Sequence, residues 1–451
     1  ETVERDIEHV DKPIETRPEQ MMERVAAGVA QTEKSDKKRE EWSSKFRWLL
    51  DDWKFVPGGR ILTAAGTDQE LTFYNCYVIP SPNDSREGIM TTLTQMTEIM
   101  SRGGGVGINI STLRPRLAYV KGVNGRSSGS VSWGALYSFV TGLIEQGGSR
   151  RGALMLILND WHPDVFDFIN SKREAGQITN ANISVGVSDK LMDAVKADSD
   201  WELVFPDTTD PDYDELWDGD LTTWVASGRK VIPYKTIKAR ELWDAIIESA
   251  WASAEPGVWF NERSNKMANS WYFNPLISTN PCGEQPLPPY GTCLLGSINL
   301  ARLVKDPFTE HAAIDEEALA ELAGTATRML DNVVEASKYP VAEQRSEAIN
   351  KRRIGLGMTG LADALIQCGL TYGSPDAVVA AERWAATISH GAYRTSVDLA
   401  KEKGAFPLFD RDAYLASPTI QDLPQDIRDG IAAHGIRNAL LTSIAPTGTI
   451  S

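Results

Sequence analysis

Asn280, Cys282 and Glu284 stand at alternate positions in the segment Ser278–Leu300, STNPCGEQPLPPYGTCLLGSINL. In an extended chain, residues at i−2, i and i+2 face one way. An amide, a thiol and a carboxylate would then open into a common space. Pro281 and Gly283 disfavour a continuing helix or a central strand and place Cys282 at a loop tip. Pro286, Pro288 and Pro289 stiffen the next stretch of chain, and a second cysteine, Cys293, returns after a Tyr-Gly turn. No histidine lies near, so the segment does not offer the Cys–His pair of a hydrolase. The residues alone leave two readings open: a structural cysteine in a Pro-rich loop, or a thiol whose chemistry is not hydrolysis.

The rest of the composition narrows the setting. The chain has 451 residues, 42% hydrophobic and 24% charged, enough to bury a large core. That is long for one ordinary domain, although barrels run past about 250 residues as a unit. The net charge of −16 argues against nucleic acid as a partner. An anionic small substrate would need a local site of backbone amides, helix N-termini or a few arginines. The cysteines are Cys76, Cys282, Cys293 and Cys368, with no CxxC pair and only 5 histidines, so no metal site is expected. No apolar run reaches the roughly 18–20 residues that span a bilayer, and the polar, acidic N-terminus does not read as a signal peptide. The expectation is a cytoplasmic protein without membrane contact, in which any disulfide would be catalytic or redox-linked.

Local patterns along the chain give the elements that must hold these residues. Residues 1–50 read as polar helices with apolar spacing at Met21, Val25, Val29, Phe46, Leu49 and Leu50, and Glu33–Glu41 as a solvated charged stretch. Tyr74–Pro80 is a short apolar strand carrying Cys76. A helix through Ile89, Leu93, Met96 and Met100 stops at Gly103-Gly104-Gly105. Val106–Ile110 is a strand, Trp133–Ile144 a helix ended by Gly147-Gly148, and Ala153–Leu158 a strand. This alternation predicts a parallel α/β sheet or barrel. Ala197–Asp220, rich in Asp and Pro, reads as an exposed excursion. Gly355–Gly360 fits GxGxxG, but a dinucleotide turn requires a strand just before it, and residues 343–353 are helix-like. A nicotinamide dehydrogenase is therefore set aside.

Asn280-Pro281-Cys282-Gly283-Glu284, followed by Cys293 and Leu295–Leu300, resembles the active-site finger loop of ribonucleotide reductase catalytic subunits. The Asn-Pro-Cys-Gly-Glu form is the one usual in the adenosylcobalamin-dependent class. Other segments stand in the family's order: Asn75–Val78 (NCYV), Arg102–Asn109 (RGGGVGIN), Glu145–Met155 (EQGGSRRGALM), Arg352–Leu361 (RRIGLGMTGL) and Pro446–Ser451 (PTGTIS). The resemblance covers nearly the whole chain from about residue 55. It implies a ten-stranded α/β barrel of the ribonucleotide reductase and glycyl radical enzyme type with a central finger loop, over residues 56–451. A helical segment, 1–55, precedes it. Relatives continue with further strands and a cysteine-bearing tail, so the resemblance implies a truncation, a split-gene half or an interrupted piece.

The same resemblance implies the roles. Cys282 is the thiyl radical that removes the ribose 3′ hydrogen, Glu284 takes the 3′-OH proton, and Asn280 holds the sugar hydroxyl. Cys76 and Cys293 supply the electrons and end as a disulfide, which needs Cα atoms within roughly 7 Å. Cys368 matches no catalytic position. Substrate contacts fall on Asn75, Gly105, Pro281, Gly283 and the phosphate-binding run Pro446, Thr447, Gly448, Thr449, Ile450 and Ser451. Where many relatives have Thr-Pro, this chain has Gly59-Arg60, which makes Arg60 a substitute phosphate contact. Effector contacts fall on Asp84, Arg114, Gln146, Ser149, Arg150 and Arg151. The implied cofactor is adenosylcobalamin, with its cobalt. The implied partners are ribonucleotide substrates, nucleoside triphosphate effectors, and thioredoxin, glutaredoxin or another dithiol reductant. A homodimer and a C-terminal companion fragment are further implied partners. Two alternatives share the motifs: a class I-type subunit fed by a ferritin-like radical generator, and a non-catalytic nucleotide-binding half.

Overall fold

In the computed structural model of the chain, the described residues are 3–5, 11–146, 150–173 and 177–446. The chain forms two compact units, one of residues 76–291 and one of residues 1–75 with 292–451.

The second unit begins with helices α1 (Pro18–Ala30) and α2 (Asp36–Leu50). Pro18 starts α1, where its missing N–H costs nothing, and Ser35 caps α2 by accepting from the Lys38 N–H. Val25, Val29, Phe46 and Leu49 are fully buried on their facing sides. Glu33, expected in a solvated stretch, is instead 1% exposed. Strand β1 (Phe55–Pro57) and a helical turn, Gly59–Ala64, lead out of this region.

The unit of residues 76–291 is the α/β layer that the alternation predicts. Strand β2 (Cys76–Val78) leads to α3 (Arg86–Ser101), β3 (Gly105–Asn109), α4 (Ser130–Leu143), β4 (Leu154–Asn159) and β5 (Asn182–Val187). After a hairpin of β6 (Asp200–Pro206) and β7 (Val231–Lys238) comes β8 (Gly257–Phe260). The strands β8-β5-β4-β3-β2 lie side by side, every pair parallel. All six residues of β4, LMLILN, are buried, as in a sheet covered on both faces. Ala197–Asp220 is largely exposed, as its Asp and Pro content suggests, but it also contributes buried residues. Leu203, Val204 and Phe205 of β6 are buried, and Phe205 packs with Tyr213, Trp217 and Trp224 in a core of its own. Its acids serve the turns: Asp207 accepts from the Thr209 N–H and Asp220 from those of Thr222 and Thr223.

The chain leaves this unit through β9 (Ser278–Thr279) and β10 (Pro286–Leu287), an antiparallel pair. It then returns to the other unit with β11 (Leu295–Asn299), α5 (Glu316–Ala336), α6 (Ala342–Lys351), β12 (Gly355–Thr359) and α7 (Pro375–Lys403). Strand β11 pairs in parallel with β12 and antiparallel with β1. Of the GxGxxG glycines, Gly355 and Gly357 lie inside β12, which follows a helix, and Gly360, at φ +67, caps the next helix, Leu361–Gln367. The first two are therefore not in the strand-to-helix turn that a dinucleotide site requires. A methyl group at Gly357 would meet the Ser443 carbonyl oxygen at 2.2 Å, which explains that glycine by close packing. No helix among the described residues is long and apolar enough to cross a membrane.

Buried ions tie this unit together. Arg328 on α5 donates to Glu33 at 2.9 and 2.8 Å and to Glu402 at 2.7 and 3.0 Å. Asp331, wholly buried, accepts from Arg352 Nε at 2.8 Å and Asn438 Nδ2 at 3.0 Å. Burial pushes the Asp331 carboxyl up, but the charges of Arg352 and Arg437 outweigh it and hold the group below the usual carboxylate range. A depressed carboxylate stabilises the fold above its unfolded pKa of about 3.9, and that contribution is lost as pH falls through the folded value. Asp331→Ala strands Arg352 in the core and is expected to cost about 3–5 kcal/mol in urea unfolding at neutral pH. The difference from wild type should narrow below about pH 4; a difference that is constant with pH would contradict this account.

Candidate active site

The segment carrying Asn280, Cys282 and Glu284 is a tight hairpin tip, not an extended strand. The Asn280 N–H donates to the Gln285 carbonyl at 3.2 Å, and Asn280 Oδ1 accepts from the Gln285 N–H at 3.0 Å. The Gly283 N–H closes the turn on the Asn280 carbonyl at 3.0 Å, with Gly283 at φ +83. This left-handed conformation is one that glycine adopts at no steric cost. The loop tip expected from Pro281 and Gly283 is thus present, and the alternate facing that an extended chain would give is replaced by a turn. Asn280 is wholly buried, Glu284 half-buried and Cys282 exposed. Asn280 Nδ2 has no hydrogen-bond partner among the described residues, so a donor is held ready beside the thiol.

The hairpin rests on β3. A methyl group added at Gly107 would lie 1.8 Å from the Thr279 carbonyl oxygen, and one at Gly105 would lie 2.9 Å from Pro281 Cγ and 3.4 Å from Cys76 Sγ. Gly105 and Gly107 are two apart and face the same side, so GVGIN presents a bare backbone strip on which the finger lies. Two asparagines fix it there, one of them braced by a third. Asn109 Nδ2 donates to the Ile277 carbonyl at 2.9 Å and to Asn159 Oδ1 at 3.3 Å, and Asn182 Nδ2 donates to the Pro281 carbonyl at 2.8 Å. Sequence reasoning missed Gly107, Asn109, Asn159 and Asn182. The Gly-x-Gly alternation inside an apolar strand was the signal available for the first.

Cys76, Gly105 and Pro281 are brought together in this unit. In the other unit, the Asn75 N–H donates to the Cys293 carbonyl at 3.2 Å. A methyl group at Gly58 would meet Asn75 Oδ1 at 2.6 Å, so Asn75 lies against the turn that carries Arg60, which is half-buried. Cys76 and Cys293 are buried. Cys368 ends the helix Leu361–Gln367, half-buried, and burial pushes its thiol pKa up, as suits an unreactive cysteine. Pro446 is exposed; Thr447, Gly448, Thr449, Ile450 and Ser451 lie outside the described residues.

Of the effector positions, Asp84 and Arg114 meet. Arg114 Nε donates to Asp84 Oδ2 at 2.6 Å and its backbone N–H to Oδ1 at 3.1 Å, while the Tyr213 hydroxyl donates to Oδ2 at 2.6 Å. Burial and the adjacent Asp84 carboxylate push the Tyr213 hydroxyl far up, keeping it a donor. The backbones of Gln146 and Arg150 pair, as do Glu145 and Arg151, in a two-residue ladder; Ser149 lies outside the described residues.

A hairpin bearing an exposed thiol, seated on the glycine strip of a parallel sheet, defines an α/β protein with a thiol presented over its sheet. The family is shown by sequence. The ribonucleotide reductase barrel domain matches residues 74–451, and the ribonucleotide reductase all-alpha domain matches residues 7–70. The chain belongs to the ribonucleotide reductase large-subunit family. It is similar to the vitamin B12-dependent ribonucleoside-diphosphate reductase of Mycobacterium tuberculosis (strain CDC 1551 / Oshkosh), at 37% identity over 428 residues, 95% of this chain and 55% of that one. To the vitamin B12-dependent ribonucleoside-diphosphate reductase of Thermoplasma acidophilum it is 38% identical over 410 residues, 90% of this chain and 48% of that one. To the ribonucleoside-diphosphate reductase large subunit of Variola virus it is 29% identical over 458 residues, 98% and 58%. The chain spans about half the length of the curated relatives it matches.

The seating of the finger is directly testable. Gly107→Ala forces the hairpin off β3 and is expected to cost about 1–3 kcal/mol. Limited proteolysis should then cut within residues 275–290. Gly122→Ala, with nothing within 4 Å of the added methyl, is the control and should change neither. Equal proteolysis of the two variants would refute the seating.

Proposed function

We propose that the protein is the catalytic chain of a ribonucleotide reductase that converts ribonucleoside di- or triphosphates to 2′-deoxyribonucleotides in the cytoplasm. The observation that carries this reading is the exposed Cys282 thiol at the tip of a hairpin whose flank, Pro281, shares Gly105 with the buried Cys76 thiol. An exposed sulfur can be reached by a radical source from outside the hairpin, while the buried thiols are kept for the substrate.

In this reading the Cys282 sulfur, as a thiyl radical, takes the 3′ hydrogen. A thiol suits the step because its S–H bond is close in strength to an activated C–H bond, so the transfer is reversible. Glu284 takes the 3′-OH proton, and Asn280 Nδ2 hydrogen-bonds the sugar oxygen. The 2′-OH leaves as water, taking a proton from the pair Cys76 and Cys293. That pair gives up two electrons and closes to a disulfide, and the 3′ hydrogen returns from Cys282. The balance is one ribonucleotide and one dithiol to one deoxyribonucleotide, one disulfide and one water. An external dithiol such as thioredoxin or glutaredoxin reopens the disulfide. Adenosylcobalamin, when bound, supplies the initial hydrogen-abstracting equivalent. The higher identity to B12-dependent relatives than to the viral large subunit supports this cofactor over a separate radical-generating subunit.

Two outcomes are expected. In the full-length protein with CDP or CTP, adenosylcobalamin and dithiothreitol, Cys282→Ser abolishes deoxynucleotide formation. Cys293→Ser binds nucleotide but forms no deoxynucleotide. Unchanged turnover in Cys282→Ser would sink the mechanism. For the effector site, we take Asp84, Arg114 and the loop of Gln146, Ser149, Arg150 and Arg151 to hold a nucleoside triphosphate. Asp84→Ala removes the carboxylate that positions Arg114. It should weaken dATP or dTTP binding about tenfold, ~1.4 kcal/mol, in equilibrium dialysis, and undiminished affinity would remove these residues from the effector site.

A further inference from the structure

At the carboxyl ends of the parallel strands lies a cavity that the thiol chemistry does not use. It measures about 560 Å³ and is walled by the indoles of Trp161, Trp201 and Trp259, with Leu276 and Ile277 from the base of the finger. All its walls belong to the unit of residues 76–291. Strands β3 and β4 end on it at Asn109 and Asn159, and Ser188 and Asn261 follow β5 and β8 onto its edge. Ligands of open parallel sheets are generally held at this end of the strands. Gly105, which meets Pro281 and Cys76, starts β3 at the opposite end, roughly 13 Å along the strand from Asn109. The cavity is therefore separate from the thiol site.

Polar groups of the lining are unmet. Asn159 is 8% exposed. Its Oδ1 accepts from Asn109 at 3.3 Å, and its Nδ2 makes no hydrogen bond among the described residues. Asn261 is arranged alike: Oδ1 accepts from the Glu262 N–H at 2.7 Å, and Nδ2 makes no bond among the described residues. Glu262 Oε2 accepts from the Asp189 N–H at 3.3 Å, and its Oε1 takes no N–H or O–H among them. The lining is also acidic. Asp160, Asp218, Asp220 and Glu262 stand against the cation Lys190, and no arginine is present. Burial, with Glu262 close by, pushes the Asp160 carboxyl up to about 6, as a negative surrounding requires.

These groups define a ligand by complement. The two amides need acceptors and Glu262 Oε1 needs a donor, so an ammonium compound, which only donates, leaves the amides unmet. The carboxylates repel a phosphate. Water would satisfy the amides but would leave the indole walls wet, whereas a flat ring stacks on them. Asn261 and Glu262 are neighbours in the chain, and a free amide N–H beside a free carboxylate oxygen complements a ring nitrogen beside an amino group. Adenine and cytosine carry that edge.

We propose that this cavity binds an uncharged nucleoside whose base bears an amino group, adenosine or cytidine. Glu262 accepts from the amino group, Asn261 donates to the ring nitrogen beside it, and Asn159 donates to a further acceptor of the ligand. The proposal does not rest on the reductase reading. It is tested by equilibrium dialysis of the purified protein with adenosine, cytidine, inosine, uridine and sucrose in separate arms, and by displacement of bound adenosine with AMP. Adenosine and cytidine should bind. Inosine and uridine, which carry a carbonyl in place of the amino group, should bind at least about tenfold more weakly. AMP should displace adenosine poorly. Asn261→Leu should weaken adenosine about tenfold, and Glu262→Gln should turn the preference from adenosine towards inosine, because its amide donates to the carbonyl. Both residues are half-buried, and unchanged thermal unfolding of the two variants keeps the comparison valid; if Asn261→Leu unfolds, the Glu262→Gln preference decides alone. The proposal is overturned if no nucleoside binds, if sucrose binds as well as adenosine, if AMP displaces adenosine as well as adenosine does, or if adenosine binding is indifferent to both substitutions.

Discussion

Everything at the candidate site depends on one steric constraint: the backbone of the finger hairpin lies directly on the backbone of β3. The Thr279 carbonyl oxygen occupies the space that a Cβ at Gly107 would need, and Pro281 occupies that of Gly105. Two strips of main chain in contact leave no side chains to adjust, so the height of the hairpin above the sheet is set by covalent geometry. What remains is sliding along the strip, and the asparagine amides oppose it: Asn109 and Asn182 hold the Ile277 and Pro281 carbonyls at the two ends of the hairpin's first arm. A reactive sulfur carried on a loop is ordinarily the least precisely placed kind of group. Here the loop inherits the rigidity of a buried parallel sheet.

The same constraint separates the thiols by environment. Cys282 is exposed at the turn, and Gly283 beside it has no neighbour within 4 Å of where a side chain would begin. Cys76 is buried beneath the hairpin as the first residue of β2, and Cys293 is buried in the other unit. An exposed sulfur and two shielded ones differ in what can reach them before any tuning of acidity is considered. The difference lies in burial: Cys282 is exposed, and Cys76 and Cys293 are buried.

The sequence exposed the chemistry more fully than the geometry. The strands around Cys76, Val106–Ile110 and Ala153–Leu158 and the helices between them were legible because apolar runs and glycine stops are local signals. The loop tip at Cys282 was legible from Pro281 and Gly283, but the common facing of Asn280, Cys282 and Glu284 held only for an extended chain, and Asn280 closes a turn through both its backbone and its side chain. A bond from a residue to one five positions on leaves no trace in periodicity. The buried part of Ala197–Asp220 was missed for a related reason. Its acids are turn-forming and its aromatics are scattered singly, so Phe205, Tyr213, Trp217 and Trp224 form a core only once β6 and β7 pair. Glu33 was misread because its partner, Arg328, lies 295 residues away, and no window of sequence contains both.

Neighbouring arginines show how finely burial and satisfaction are distinguished here. Arg352 and Arg353 are 1% and 3% exposed, and a charge so enclosed must be answered by its surroundings. Arg352, at φ +51, turns back to α5, where Asp331 and Glu335 supply carboxylates and the Asp331 carbonyl takes a further N–H at 2.8 Å. Arg353, one residue on, leads into β12, and its side chain makes among the described residues the long 3.5 Å contact to Glu347, whose same oxygen already accepts from Lys351. The contrast is one of partners and not of burial: Arg352 is met by two carboxylates and a carbonyl, Arg353 by one shared carboxylate oxygen at long range.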